Sequence, residues 1–186
     1  MFYYQDGFGK GSYSAFSNQF RYKLIFEKGG WWSDTDVVCL RRFDFEDEFV
    51  FATEQEDDYN TVTASCVFKS PAGAEYLRYC LRACDAKDKT TLRWGEIGPE
   101  LLDDAIKRFH LISHLVPVHM FNPINWFEFL QILKPDFDVT RLANSYAVHL
   151  WSQMWKNHKV DPDDNGHPQS LYATLKRRFL NSDTAA

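Results

Sequence analysis

The sequence lacks a long apolar run, and no stretch of it approaches the ~20 apolar residues that a helix needs to span a bilayer. We therefore predict no transmembrane segment. The first residues, Met1-Phe2-Tyr3-Tyr4-Gln5-Asp6, also lack the charged and then apolar regions of a secretory signal. The four cysteines include no CxxC pair; the helical spacing of Cys80 and Cys84 indicates packing residues, with a disulfide or a zinc site as the less favoured alternative. These absences predict a cytoplasmic protein in a reducing compartment.

An excess of positive charge is also lacking. The chain has 21 Lys and Arg against 26 Asp and Glu, a net charge of −5, which excludes a nucleic-acid-binding protein that relies on bulk charge. Apolar residues are abundant at 45%, and aromatic residues at 17% are enough for stacking surfaces as well as a core. Because no repeat, low-complexity segment or linker divides the chain, we predict a single domain over residues 1–186 with a frayed tail at 181–186.

Hydrophobic periodicity predicts an α/β fold with a central sheet flanked by helices. The expected helices cover residues 14–28, 72–86, 98–109, 126–133 and 167–179. The expected strands cover residues 31–32, 37–38, 48–53, 61–68 and 145–151, with one or two more within 111–119. The Gly29-Gly30 pair is expected to end the first helix, because glycine adopts the positive-φ conformations that helix ends favour.

The most informative motif is Asp34-Thr35-Asp36, which follows the apolar pair Trp31-Trp32. Two carboxylates one residue apart at the end of a strand are well suited to hold a hard divalent cation and, through it, a diphosphate. The alternative is a surface turn that uses aspartate for its turn-forming side chain. We favour a site for a metal and a nucleotide.

Several motifs, in the same order along the chain, resemble the DXD sugar-binding region of a glycosyltransferase family. They are Phe16-Ser17-Asn18-Gln19-Phe20-Arg21-Tyr22, the Gly29-Gly30 pair, Asp34-Thr35-Asp36-Val37-Val38-Cys39-Leu40, Trp94-Gly95-Glu96-Ile97-Gly98-Pro99 and Val148-His149-Leu150-Trp151. The family includes initiating mannosyltransferases and globotriaosylceramide synthases, and glucosylating bacterial toxins carry a related version. The resemblance spans roughly residues 11–155.

The resemblance implies a GT-A-like fold, a nucleotide-sugar donor, a saccharide or glycoconjugate acceptor, and transfer with retention of anomeric configuration. It also implies a divalent cofactor, Mn²⁺ or else Mg²⁺. Relatives carry a strand-helix-strand segment that forms much of the nucleobase pocket, and only about ten residues precede the match here. We therefore expect a chain that lacks part of this N-terminal nucleotide-binding segment, as a truncated or divergent member or as a piece of a longer protein. The pattern says nothing about the oligomeric state.

The resemblance also assigns roles to individual residues. Metal ligands would be Asp34, Asp36 and His149. Donor contacts would come from Asn18, Arg21, Asp34 and Trp151, and catalytic roles would fall to Arg21, which would stabilise the departing diphosphate, and Glu96, which would orient an acceptor hydroxyl. Relatives usually have aspartate where this chain has Asn18, so donor specificity or turnover is expected to differ.

Each of these residues also has a structural interpretation. Arg21 would then pair with Glu27 or Asp6 at the surface, and His149 and Trp151 would belong to the core. At the level of function, the alternative is a catalytically weak or inactive domain that binds nucleotide sugar or glycan. A nucleotidyltransferase is less favoured, because no glycine-rich phosphate loop with a basic residue is present.

Overall fold

The computed structural model describes residues 1–163 and 166–180. The expected frayed tail, residues 181–186, lies outside the described residues. Contacts within the chain group it into two compact units. The first unit comprises Met1–Asp34 and Phe43–Val118, and the second comprises Thr35–Arg42 and the described part of His119–Ala186. The prediction of a single domain stays a prediction, and each unit is described by itself.

The α/β class is confirmed by the elements of the described residues. The strands are β1 (Gly30–Ser33), β2 (Val37–Cys39), β3 (Val50–Gln55), β4 (Thr61–Ser70) and β5 (Ala147–His149). The α-helices are α1 (Ser14–Lys28), α2 (Glu75–Ala86), α3 (Pro99–Arg108), α4 (Ser152–Asn157) and α5 (Leu171–Leu180). Short 3₁₀ helices cover Ile112–His114, Val118–Met120, Trp126–Leu133 and Val139–Leu142.

The first unit is built on a three-stranded antiparallel sheet of order β1-β4-β3. Helix α1 ends where the sequence predicts, because Gly29 takes φ 66° and ψ −172°, a conformation that side chains strongly disfavour. The helix buries one face, so its side chains enter a common core with those of β3, β4, α2 and α3. The fully buried members of this core include Tyr22, Ile25, Phe51, Phe68, Leu77, Leu102 and Ile106.

The second unit contains the two-stranded antiparallel pair β2-β5, in which Val37 lies opposite His149 and Cys39 opposite Ala147. The strands pack on helical segments from the C-terminal half of the chain. The apolar residues buried there are Ile124, Phe129, Ile132, Val148, Met154, Trp155, Leu171 and Leu175. The strands of the α/β fold are thus divided between two small sheets.

Two of the expected elements are wrong in part. Helix α2 begins at Glu75 and not at residue 72, because Gly73 has φ 74° and its N–H donates to the carbonyl of Phe26 at 2.8 Å, which makes the preceding segment a turn. Residues 111–119 do not form the expected strands. They form two 3₁₀ turns, and Leu115 makes only an isolated bridge to Phe51.

At the C-terminal end, α5 begins at Leu171 rather than 167, and the Ser170 hydroxyl accepts the N–H of Ala173 at 3.1 Å as a helix cap. Helix α4 was not expected from the sequence. No disulfide joins the four cysteines, all of which are described, and Cys80 and Cys84 are buried as predicted. Within residues 1–163 and 166–180, no helix has the length and apolar character needed to cross a membrane.

Candidate active site

The Asp-Thr-Asp motif lies in the short connection between β1 and β2. Asp34 directly follows Ser33, the last residue of β1, and belongs to the first unit. Asp36 directly precedes Val37, the first residue of β2, and belongs to the second unit. The two carboxylates are therefore held by different parts of the chain, and their surroundings differ.

In the first unit, Asp34 is paired with Arg21. The Arg21 Nη2 atom lies 3.1 Å from Asp34 Oδ1, and the indole N–H of Trp32 donates to the same oxygen at 2.7 Å. The backbone N–H of Asp34 donates to the carbonyl of Cys66 on β4 at 2.8 Å. The surface alternative for Arg21, a pair with Glu27 or Asp6, is thereby wrong.

The Arg21 side chain is only 4% exposed, although it carries a permanent charge. Its Nη1 donates to both the carbonyl and the hydroxyl of Ser65, the latter at 2.8 Å. Its Nε reaches the carbonyl of Ser17, one helical turn earlier, at 3.4 Å. A buried charge is tolerable only when it is paired and hydrogen-bonded, and these contacts meet both conditions.

Asn18 lies one turn before Arg21 on the same buried face of α1, as the spacing predicts. It is 5% exposed, and its amide lies near the hydroxyl of Tyr4. A Cβ placed on Gly98 would lie 2.5 Å from Asn18 Nδ2, so the amide lies directly against the glycine at the start of α3. A side chain at position 98 would therefore displace the Asn18 amide, and Asn18 joins α1 to the Gly98-Pro99 helix start.

Glu96 lies in the turn before α3. Its carboxylate accepts hydrogen bonds from the Nζ of Lys87 at 2.7 Å and from the backbone N–H of Arg93 at 2.9 Å. These contacts lower the pKa of Glu96 below its usual value, with the Lys87 hydrogen bond as the largest cause. Glu96 is therefore ionised at neutral pH and held by its own loop.

In the second unit, Asp36 faces His149 of β5. The distance from Asp36 Oδ2 to His149 Nε2 is 3.4 Å, and the backbone N–H of Ser152 donates to the same oxygen at 2.9 Å. On the other side of the ring, His149 Nδ1 lies 3.2 Å from Asn122 Oδ1. Because an amide oxygen only accepts, this contact suits a proton on Nδ1, so Nε2 faces Asp36 either as a lone pair that can bind a cation or, in the imidazolium, as an N–H that pairs with the carboxylate. Two facing lone pairs favour a proton or a cation between them.

The pKa of Asp36 reflects this arrangement. Burial alone would raise it, but the hydrogen bond and charge of His149 and the hydrogen bonds from Ser152 outweigh burial, so the pKa lies well below the usual value. Asp36 is therefore ionised at neutral pH. Carboxylate oxygen and imidazole nitrogen both suit Mn²⁺, and oxygen suits Mg²⁺, so this pair fits the divalent cation that the motif implies.

Trp151 follows β5 and has an unusual backbone, with φ 57° and ψ 48°. Its ring stacks on that of His149 with centroids 3.8 Å apart and an interplanar angle of 28°. Its indole N–H donates to the carbonyl of Ile124 at 2.8 Å. Trp151 therefore supports the face of His149, and its N–H is bound by the backbone.

Three residues in these surroundings were not identified from the sequence: Trp32, Ser65 and Asn122. Trp32 offered a signal, because it lies two residues before Asp34 in a strand and so shares a face with it. Ser65 and Asn122 offered none, since a serine in a strand and an asparagine in a loop are ordinary surface residues.

Comparisons with known families agree with the motifs. The family described as "Glycosyltransferase sugar-binding region containing DXD motif" matches residues 5–62, which include Asn18, Arg21, Asp34 and Asp36. The family described as "Alpha 1,4-glycosyltransferase conserved region" matches residues 71–179, more than half of the chain. The resemblance stated from the sequence is confirmed.

The chain is also similar to two mammalian enzymes. Lactosylceramide 4-alpha-galactosyltransferase of Mus musculus is 25% identical over 178 residues, which cover 88% of this chain and 46% of that protein. The enzyme of the same name from Rattus norvegicus is 24% identical over 177 residues, with 88% and 46% coverage. The chain thus spans about half the length of the curated relatives it matches. No solved structure matches it significantly.

Proposed function

We propose that this chain, which belongs to the family with the alpha 1,4-glycosyltransferase conserved region, transfers a sugar from a nucleotide-sugar donor to a saccharide or glycoconjugate acceptor. The observation that carries the proposal is the contact between Asp36, the second aspartate of the DXD motif, and His149, whose Nε2 lies 3.4 Å from Asp36 Oδ2. Because its relatives are named galactosyltransferases of lactosylceramide, a galactose donor and a glycolipid acceptor are the first pair to test.

Departure of a nucleoside diphosphate places negative charge on its oxygens, and neutralising that charge is the main requirement of the reaction. A divalent cation, Mn²⁺ or Mg²⁺, would be held by Asp36 and His149 and would supply positive charge to the diphosphate when bound. Asp34, two residues before Asp36 in the chain, would assist through the metal shell. Asn122 and Trp151 keep the imidazole in place from its Nδ1 side and its face.

Asp34 has a second role in the proposal. Its pairing with Arg21 holds the carboxylate in one direction, so that it can accept hydrogen bonds from donor-sugar hydroxyls. The contacts of Arg21 within the first unit make orientation of Asp34 its main role, with its charge favouring the departing diphosphate at longer range. Retention of anomeric configuration is part of the proposal because the resembling enzymes retain it.

A second candidate is a domain that binds nucleotide sugar without transferring it. The observation that favours it is Asn18, which takes the place of the usual aspartate and lies buried against Gly98 and Tyr4. An asparagine engaged in this way leaves the donor sugar with one carboxylate fewer.

The experiment is a transfer and hydrolysis assay with a panel of nucleotide sugars, run with manganese, with magnesium and with a chelator. Metal-dependent turnover of at least one donor is expected, with a glycolipid acceptor raising the rate. Binding of a nucleoside diphosphate without turnover, seen as a metal-dependent rise in melting temperature, would support the binding domain instead. Neither binding nor turnover would contradict both candidates.

A further inference from the structure

Asp34 makes several contacts within the first unit that hold its carboxylate. One carboxylate oxygen, Oδ1, receives the Trp32 indole N–H at 2.7 Å and the Arg21 guanidinium at 3.1 Å. Two donors on one oxygen leave the carboxylate little freedom to rotate about its χ angles. Since Trp32 precedes Asp34 by two residues, the indole reaches it from the same strand end.

Ser65 holds Arg21, the charged partner of Asp34. Both its hydroxyl and its carbonyl accept from Arg21 Nη1, so one residue of β4 holds the end of the guanidinium with two bonds. The next residue, Cys66, accepts the backbone N–H of Asp34 at 2.8 Å. Neighbouring residues of β4 therefore hold the arginine side chain and the aspartate backbone at once, and the rigid strand sets the separation between them.

The guanidinium also lies over the Trp32 ring, with its central carbon 5.1 Å from the ring centroid. A cation over an indole face is favourable, and more so when water is excluded, as it is for a side chain only 4% exposed. Trp32 thus contacts Arg21 through its face and Asp34 through its edge. It touches both members of the ion pair.

From these contacts we propose that Trp32 and Ser65 are positioning residues for the transfer reaction: together they fix the Arg21–Asp34 pair, and so the direction of the Asp34 carboxylate. The proposal rests on the proposed function for the role of Asp34. Neither Trp32 nor Ser65 would contact the substrate; each would act by holding Arg21 or Asp34 in place. Misplacement of a substrate-holding group by about 1 Å can lower a rate by about a hundredfold, so loss of either residue is expected to matter.

The test compares four variants in the full chain. Trp32→Phe keeps a ring and removes the N–H, and Trp31→Phe makes the same change on the adjacent tryptophan, which packs on Phe43 and Phe45 instead. Ser65→Ala removes the hydroxyl, and Ser65→Thr restores it. We expect Trp32→Phe and Ser65→Ala to lower kcat about tenfold or more at saturating donor, while Trp31→Phe and Ser65→Thr stay within about twofold of the parent.

A second readout does not depend on activity. By NMR, the Trp32 indole N–H of the parent should exchange slowly with water, and Asp34→Asn should speed that exchange. Ser65→Ala should likewise speed the exchange of the Arg21 guanidinium N–H groups. Fast exchange in the parent, or kinetics that are the same for Trp32→Phe and Trp31→Phe in an active chain, would overturn the proposal. A parent without any transfer would overturn the proposed function instead, and the exchange data would still decide whether Trp32 and Ser65 hold the pair.

Discussion

The two carboxylates of one three-residue motif have opposite surroundings. Asp34 meets a permanently charged guanidinium, an indole N–H and a backbone carbonyl partner, all within the first unit. Asp36 meets a titratable imidazole and one backbone N–H within the second unit. Since arginine never gives up its charge, the first arrangement is already neutralised without help.

The second arrangement is different, because histidine can exchange its proton for a metal ion at neutral pH. The two aspartates of the motif are therefore not equivalent in their surroundings. We propose that Asp34 acts chiefly as an oriented acceptor and that Asp36 is the main carboxylate ligand of a cation. The following predictions test that difference, from the largest expected effect to the smallest.

The largest effect is expected for Asp36→Asn. Asparagine keeps the shape and removes the charge that the cation needs, so the transfer rate should fall by at least about a hundredfold, or ~3 kcal/mol of transition-state stabilisation. The matched control is Asp44→Asn at an exposed aspartate, which should transfer like the parent. Equal rates for the two variants in a donor-saturated assay would refute the role of Asp36.

The next largest effect is expected for Arg21→Ala. This variant distinguishes the two arrangements by the stability of the fold, not by metal binding. Removal of the guanidinium leaves Asp34 without its buried counter-charge, at a cost of about 3 kcal/mol in the free energy of unfolding. His149→Ala should cost less, because Asp36 keeps the N–H of Ser152. Urea titration of both variants measures this, and a larger loss for His149→Ala would contradict the contrast.

A smaller effect is expected at the Arg141–Glu128 pair of the second unit, whose Nη2 and Oε2 atoms lie 2.9 Å apart with both side chains about a third exposed. Solvent screening limits the cost of Arg141→Ala to about 1 kcal/mol or less. If Arg141→Ala lowers the free energy of unfolding by this little while Arg21→Ala lowers it by about 3 kcal/mol, burial accounts for the difference between the two arginine–carboxylate pairs.

The same pair predicts a pH dependence. Burial raises the pKa of Glu128, but hydrogen bonds and charge from Arg141 and the contacts of Asn125 outweigh it and bring the pKa below its usual value. The stabilisation is therefore present above the unfolded-state pKa, about 4.3, and is lost as the pH falls through the lower folded-state pKa. Glu128→Gln should flatten the unfolding free energy over this acid range; an unchanged slope would show that the pair does not contribute.

The smallest effect concerns thiol reactivity. Burial raises the pKa of Cys84 to about 12 and that of Cys80 further, so in the first unit these thiols should resist alkylation. Cys39 of the second unit is exposed, and its pKa is raised only by partial burial. Mass spectrometry after brief alkylation of the native chain should find one adduct, absent from Cys39→Ser. Early modification of Cys80 would show that the core of the first unit opens readily.

Local patterns explain what could be predicted from the sequence. The bounds of α1, its end at Gly29 and the shared face of Asn18 and Arg21 follow from helical periodicity and from glycine's backbone freedom, both of which act over a few residues. The strands around the motif follow from aromatic and β-branched residues. The DXD motif itself is visible because two carboxylates one residue apart seldom belong to a core.

The contacts that define the roles of those residues could not be predicted, because they join distant parts of the chain. Arg21 meets Ser65 from 44 residues away, and His149 meets Asn122 from 27 residues away. Such pairs depend on strand register and core packing, which periodicity does not specify. For the same reason the positive φ of Trp151 left no mark in the sequence.

The most direct test of the account is a manganese titration followed by electron paramagnetic resonance, in the presence of a nucleoside diphosphate. The account predicts that the parent and Asp44→Asn bind one equivalent of Mn²⁺, that Asp36→Asn and His149→Ala lose this binding, and that Trp31→Phe retains it. Binding by Asp36→Asn as tight as that of the parent would contradict the account, because the carboxylate facing His149 would then not be a metal ligand.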